Sequence, residues 1–256
     1  MSDKILNYPG AKWRIADWII NHFPEHKTYV EPYAGSAAVF FRKEPSRIET
    51  INDIDKEVIN LFECIRIDSE RLAFMVINTP FSRYEYEASN INALDNFENA
   101  RRFLIRSWQS FGYRTNEMTG WKNDIAGREY AYAVKHWNRL PEAILKVVDR
   151  LKQAQIECKP ALDVIKKYNK PGVLIYADPP YLLSTRNRKQ YKHEMLEEEE
   201  HIKLLNALNQ HQGSVILSGY DNDLYNEMLS DWKKDNIQSN AQGGLHRIET
   251  IWIKKE

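Results

Sequence analysis

The tetrapeptide Asp178-Pro179-Pro180-Tyr181 closes the apolar run Val173-Leu174-Ile175-Tyr176-Ala177, and it restricts this chain more than any other feature. Two consecutive prolines confine the backbone to extended conformations and stop a helix from starting at once, so the segment reads as the exit of a buried strand. The Pro179 carbonyl is thereby kept out of a helical hydrogen bond and stays available beside a carboxylate and an aromatic ring. Asp178 and that carbonyl can accept the two hydrogens of a flat exocyclic amino group. Tyr181 can stack on the ring that bears it, a contact worth roughly 1–3 kcal/mol per base. A base amino nitrogen is a poor nucleophile because its lone pair is delocalised, so two acceptors that draw it toward tetrahedral geometry meet the demand of amino-group methylation on DNA. A plain proline-rich turn after a strand is the competing reading.

The 256 residues, 43% hydrophobic, can bury the core of one large domain or of a domain with a sizeable insertion. No apolar stretch approaches the roughly 20 residues that cross a bilayer, and the N-terminus lacks a secretory apolar segment. A cytoplasmic protein without membrane association is therefore expected. Cys64 and Cys158 have no CxxC spacing and the histidines do not cluster, so two buried thiols and no metal are expected. His193-Glu194 does not open a zinc-binding helix, because the second histidine would fall at Glu197. Basic and acidic residues balance at 36 each, but unevenly along the chain. Arg101 to Arg150 holds ten basic against five acidic residues, Leu182 to His193 four against none, and Glu44 to Ala100 five against twelve. The cationic windows are candidates for phosphate contact, with solvated helix faces as the alternative.

Along the chain, Ile15, Trp18, Ile19 and Phe23 have helical spacing up to Pro24. Thr28 to Glu31 reads as a strand, Pro32-Tyr33-Ala34-Gly35-Ser36 as a tight turn, Ala38 to Phe41 as a helix, and Ile48 to Asn52 as a second strand ending at Asp53. Val58, Leu61, Phe62 and Ile65 stripe the next helix. Strand, small-residue turn, helix, strand and acid is the order of a nucleotide-binding α/β unit. The chain lacks G-x-G-x-x-G, and a dehydrogenase has no use for the prolines and tyrosine after Asp178. Residues 72–141 break the alternation and read as an inserted, mainly helical module, leaving 1–71 and 142–256 as the catalytic domain. Alternation resumes with the helix bearing Ile144 and Val147, the strand Gln155 to Glu157, a helix after Pro160, strands at Val173 and Ser214, and their helices. Asn236 to Asn240 and Arg247 to Ile253, joined through Gln242-Gly243-Gly244, read as a terminal antiparallel hairpin.

In this order the residues resemble the Dam family of DNA adenine N6-methyltransferases. Tyr8-Pro9-Gly10-Ala11-Lys12 stands where the family has an aromatic, a glycine-containing turn and a lysine. Glu31-Pro32-Tyr33-Ala34-Gly35-Ser36-Ala37 matches its first sheet motif, Asp53 its acid after the second strand, and Asp178 to Tyr181 its catalytic tetrapeptide without change. Ala37 departs from a second glycine that many relatives carry. The resemblance implies a Rossmann-like methyltransferase sheet of α/β class and S-adenosylmethionine as methyl donor. It implies donor contacts from Tyr8, Lys12, Glu31, Pro32, Gly35, Asp53, Asp178, Glu157 and Cys158, and catalysis by Asp178, Pro179, Pro180 and Tyr181.

Because duplex DNA buries the target atom, the base must flip out of the stack. Ser107 to Asn116 combines aromatic, amide and guanidinium groups of the kind that read bases and fill gaps, and Arg101 to Arg139 is expected to form much of the recognition module. Trp108, Arg114, Asn116, Lys122, Arg128, Arg186, Arg188 and Lys189 are the candidate DNA contacts; an aromatic core with solvated arginines is the alternative. Double-stranded DNA is the expected partner, for a monomer or a weak dimer on DNA, bacterial or phage-encoded. The residues alone leave cytosine N4 open as the target, and also a catalytically silent DNA binder.

Overall fold

The computed structural model describes residues 4–112, 114–115, 117–125, 132–186, 188–240 and 246–256. They form two compact units, one of Met1–Ala11, Asp55–Gln153 and Gln190–Lys192, the other of Lys12–Ile54, Ala154–Lys189 and His193–Glu256.

The second unit is built on a seven-stranded sheet of order β3-β2-β1-β4-β5-β7-β6. Its strands are β1 (Thr28–Glu31), β2 (Ile48–Asn52), β3 (Gln155–Glu157), β4 (Val173–Ala177), β5 (Ser214–Gly219), β6 (Lys233–Asn240) and β7 (His246–Lys254). β1 to β5 run parallel, with Val30 opposite Ile175 and Ile175 opposite Val215. β4 and β5 are buried at every position, as central parallel strands covered on both faces must be. β7 runs antiparallel between β5 and β6, with Trp252 opposite Leu217. The terminal hairpin is therefore present, and its second strand rather than its first pairs with β5. The expected connection at Gln242-Gly243-Gly244 lies outside the described residues.

One layer of helices covers a face of this sheet. α7 (Ala161–Lys167), α8 (Glu198–Asn209) and α9 (Asp223–Met228) contribute Val164, Ile165, Leu204, Leu205, Leu208 and Tyr225 to a core with Val30, Ile175, Val215, Leu217 and Trp252. Truncating Leu205, which is fully buried, to alanine would cost about 2–5 kcal/mol. The acidic run Glu197 to Glu200 is the start of α8, where Glu197 and Glu200 form a capping box. Two short helices, α1 (Ala16–Ile20) and α2 (Ala38–Arg42), precede and follow β1.

The first unit is helical: α3 (Lys56–Ile77), α4 (Arg83–Ala88), α5 (Asn96–Gln109) and α6 (Tyr132–Lys152). Asp55, Ser82 and Asp95 cap α3, α4 and α5 through their side chains. This unit is larger than the expected 72–141 because α3 buries Val58, Leu61, Phe62, Ile65 and Leu72 and packs on α5 and α6. Pro141 lies inside α6 and ends nothing. Gln190–Lys192 joins the unit through Thr115, whose N–H donates to the Gln190 carbonyl and whose hydroxyl accepts from the Lys192 N–H, each at 3.0 Å. Cys64 is buried in α3, but Cys158 is exposed, because it follows the edge strand β3.

Candidate active site

Parallel pairing brings the C-terminal ends of β1, β2 and β4 to one edge of the sheet. The chain leaves β1 toward β2 on one side and enters β5 from β4 on the other, so the β1/β4 pair is the switch point where open α/β sheets hold ligands. Glu31, the Gly35 turn, Asp53 and Asp178 all lie at these ends.

Asn52 pegs the edge together. Its side-chain Nδ2 donates to the carbonyls of Pro32 (2.8 Å) and Lys159 (3.0 Å), and its side-chain Oδ1 accepts from the Lys159 N–H (2.9 Å). The Ala34 N–H donates to the Asn52 carbonyl, and the Gly35 N–H to Asp53 Oδ2, both at 2.8 Å. Asp53 thus shapes the turn it serves. Gly35 has φ 48°, a conformation glycine adopts without strain. Ala37, at the departure from the family pattern, has φ 51° and ψ 35°, so the turn keeps a left-handed residue there despite its Cβ.

Glu31 is 2% exposed and accepts from the Tyr29 hydroxyl at 2.8 Å. Burial, helped by the nearby Asp178 charge and opposed by the Tyr29 hydrogen bond, pushes its carboxyl up to about 8. Asp178 forms an ion pair with Lys12, Nζ to Oδ2 at 2.9 Å. Burial raises the Asp178 carboxyl above the usual range, and the Lys12 ammonium pulls against it. Tyr181 donates to Glu249 Oε2 at 2.9 Å and lies 3.2 Å from Asp178 Oδ1; Tyr220 meets its ring edge-on at 4.7 Å, and Lys12 Nζ sits 4.9 Å from its centroid. Burial and the two carboxylates hold the Tyr181 phenol well above its ordinary range, so it remains a donor.

The sequence does not single out Glu249 or Tyr29. Glu249 reaches Tyr181 only because β7 inserts beside β5, a pairing that local pattern does not carry; Tyr29 reads as an ordinary inward strand residue. The Glu157 carboxylate, a candidate donor contact, pairs with Lys159 and Lys167, while its carbonyl accepts from the Asp53 N–H at 3.4 Å. Pro32 and Pro180 lie in the turns after β1 and β4, and Cys158 at the exposed end of β3.

Arg186 does not present its charge to a phosphate. It is 9% exposed, donates to the carbonyls of Tyr181 (2.6 Å) and Arg188 (3.2 Å), and pairs with Glu194. It acts as a buried clamp on the loop after the tetrapeptide, and Arg188 and Lys189 follow on that loop.

Among the remaining candidates, Tyr8 lies in the helical unit, 6.1 Å from the Tyr191 ring. Trp108, at the end of α5, donates from its indole to the Ile5 carbonyl at 3.0 Å. Arg114 pairs with Glu117, and the Lys122 N–H donates to the Gln109 carbonyl at 2.7 Å. Asn116 and Arg128 lie outside the described residues. Among the described residues no group of three or more His, Cys, Asp or Glu is gathered for a metal, and no helix is long and apolar enough to cross a membrane.

Residues 8–242 match the model of a family described as D12 class N6 adenine-specific DNA methyltransferase. The DNA adenine methylase of Escherichia coli K12 is 25% identical over 236 residues, which cover 87% of this chain and 82% of that protein. The DNA adenine methylase of Salmonella typhi is 26% identical over the same extents. A retron Ec67 DNA adenine methylase from Escherichia coli is 28% identical over 188 residues, covering 69% of this chain and 63% of that protein.

Proposed function

The chain belongs to the D12 class of N6 adenine-specific DNA methyltransferases, and on that footing we propose that Asp178, the Pro179 carbonyl and Tyr181 grip the target adenine beside a donor site at the ends of β1 and β2. The protein is a transferase that methylates N6 of adenine in DNA with S-adenosylmethionine as donor. The residues present suit that donor. Glu31 and Asp178 are buried acids, the Asp178 charge adds to the burial that raises the proton affinity of Glu31, and a cationic ligand relieves that repulsion. The Gly35 turn leaves main-chain atoms open to close approach. S-adenosylmethionine supplies an electrophilic methyl group.

The chain's own groups then supply position and hydrogen bonding. Asp178 and the Pro179 carbonyl accept the two hydrogens of the adenine amino group and direct its lone pair outward. Lys12 favours the ionised form of Asp178 against its burial, and with it the role of an acceptor. Tyr181, anchored by Glu249, offers its face to the base. The nitrogen's surplus proton becomes acidic on alkylation, and Asp178, with its raised proton affinity, receives or relays it. Gly35 and Asp53 hold the donor's nucleoside part, with Lys12 assisting. Double-stranded DNA is the substrate, with the adenine flipped out of the stack. Trp108, Arg114, Lys122, Arg188 and Lys189 are its proposed contacts.

What carries the reading is the Asp178 carboxylate set among Lys12, Tyr181 and Glu31 at the switch point rather than in packed hydrocarbon. The test is incubation with methyl-labelled donor and unmethylated bacterial DNA, followed by nucleoside analysis. Label in N6-methyladenine is expected; label in N4-methylcytosine, or none in DNA, would overturn the assignment.

A further inference from the structure

We propose that a cationic pocket between α5 and α6 of the helical unit binds a backbone phosphate of the DNA, a subsite that rests on the DNA-methyltransferase reading. The pocket encloses about 290 Å³. Lys4, Lys122, His136, Arg139 and Lys146 line it around the half-buried Trp108 ring, over which Lys4 Nζ stands 5.9 Å from the centroid. Helical spacing builds it: Ala133, His136, Arg139, Ala143 and Lys146 recur every three or four residues and share one face of α6. The two alanines form a floor, and the longer side chains make the cationic walls. Trp108 is fixed as the opposite wall by the hydrogen bond from its indole to the Ile5 carbonyl.

The charge is lopsided. Glu142 is the single acid among the described lining residues, and it pairs with Lys146 at 2.6 Å. Partial burial, followed by the charges of Lys122, Arg139, Lys4 and Lys135, holds the His136 imidazole below its ordinary range. The side chains thus repel one another's charge, and an anion relieves that repulsion. Guanidinium and ammonium donors converging on a small volume suit the oxygens of a phosphodiester, which fix register on a duplex without reading sequence. A phosphate diester is the anion that the substrate of this family presents in a continuous row.

The test uses the full chain and fluorescence anisotropy with a mixed-sequence duplex across a range of salt concentrations, without catalysis. Each phosphate contact contributes about 0.9 to the slope of log affinity against log salt, so Lys4→Ala/Arg139→Ala, which removes the grip on one phosphate, is expected to lower that slope by about 0.9. Glu142→Gln, which releases Lys146, is expected to strengthen binding. In the wild type, bound duplex is expected to raise the His136 titration point seen by NMR, because the anion offsets the surrounding cations. Slope, affinity and His136 titration all insensitive to these changes would overturn the subsite. So would a response of His136 to inorganic phosphate alone and not to duplex, which would make it a free-anion site. Absence of N6-methyladenine in the methylation assay would overturn the enzymatic reading instead, so the two failures are separable.

Discussion

Donor binding is expected to expel a proton from Glu31, and this makes affinity depend on pH in a defined direction. The free carboxyl is pushed up to about 8, chiefly by burial and then by Asp178 against the Tyr29 hydrogen bond. At pH 7 about nine molecules in ten therefore carry the proton. A sulfonium and an ammonium beside Glu31 favour its ionised form, so binding must first remove that proton. Below the folded pKa the apparent Kd then falls about tenfold per pH unit, or about 1.4 kcal/mol. Calorimetry at pH 6 and pH 7, in buffers of different ionisation enthalpy, is expected to show close to one proton released and about tenfold tighter binding at pH 7. The donor's own amino group, with an ordinary pKa of about 7.7–8.0, stays charged throughout this window. Glu31→Gln should flatten the dependence. The same shift has a stability consequence: the folded pKa is raised, so the unbound protein is favoured at low pH and loses stability as pH rises from about 4.3 through the folded value. A Kd that is flat between pH 6 and 7 with no proton released would refute this account of Glu31.

Two further outcomes follow from the same edge of the sheet. Ala37→Gly is expected to change stability by less than about 1 kcal/mol, because relief of a left-handed alanine is offset by the added entropy of an unfolded glycine and by the loss of a fully buried methyl group. That keeps Tm within about 4 °C of the wild type, and a larger shift in the melting temperature would contradict it. Glu249→Ala removes the acceptor at 2.9 Å from the Tyr181 hydroxyl, and should lower kcat on DNA about tenfold while donor affinity holds. Glu249→Gln, which keeps an acceptor oxygen, should recover most of that loss, and equal defects in the two variants would point to charge alone.

The site was legible where chemistry and backbone restriction coincide in a few adjacent residues. Asp178 to Tyr181, the Gly35 turn and Asp53 each announce a strand end, and alternation of strand and helix forces a parallel sheet that aligns those ends. Nothing local reports which strand an antiparallel hairpin presents to its neighbour, so the insertion of β7, and with it Glu249, was not readable. α3 has the same apolar period as the sheet-covering helices, and only packing on α5 and α6 assigns it to the helical unit. Arg186 has the residue type of a phosphate ligand, and its role as a clamp depends on Glu194 and two carbonyls that sequence distance does not bring together. Cys158 has the type of a buried thiol but sits after a strand at the edge of the sheet.

Asp178→Ala, assayed side by side for methyl transfer to DNA and for donor binding, tests the mechanism most directly. Loss of the acceptor that orients the adenine amino group should lower turnover by at least about 100-fold, while the donor still binds through Glu31, Gly35 and Asp53. Near-normal turnover in the purified, folded variant would contradict the role given to this carboxylate.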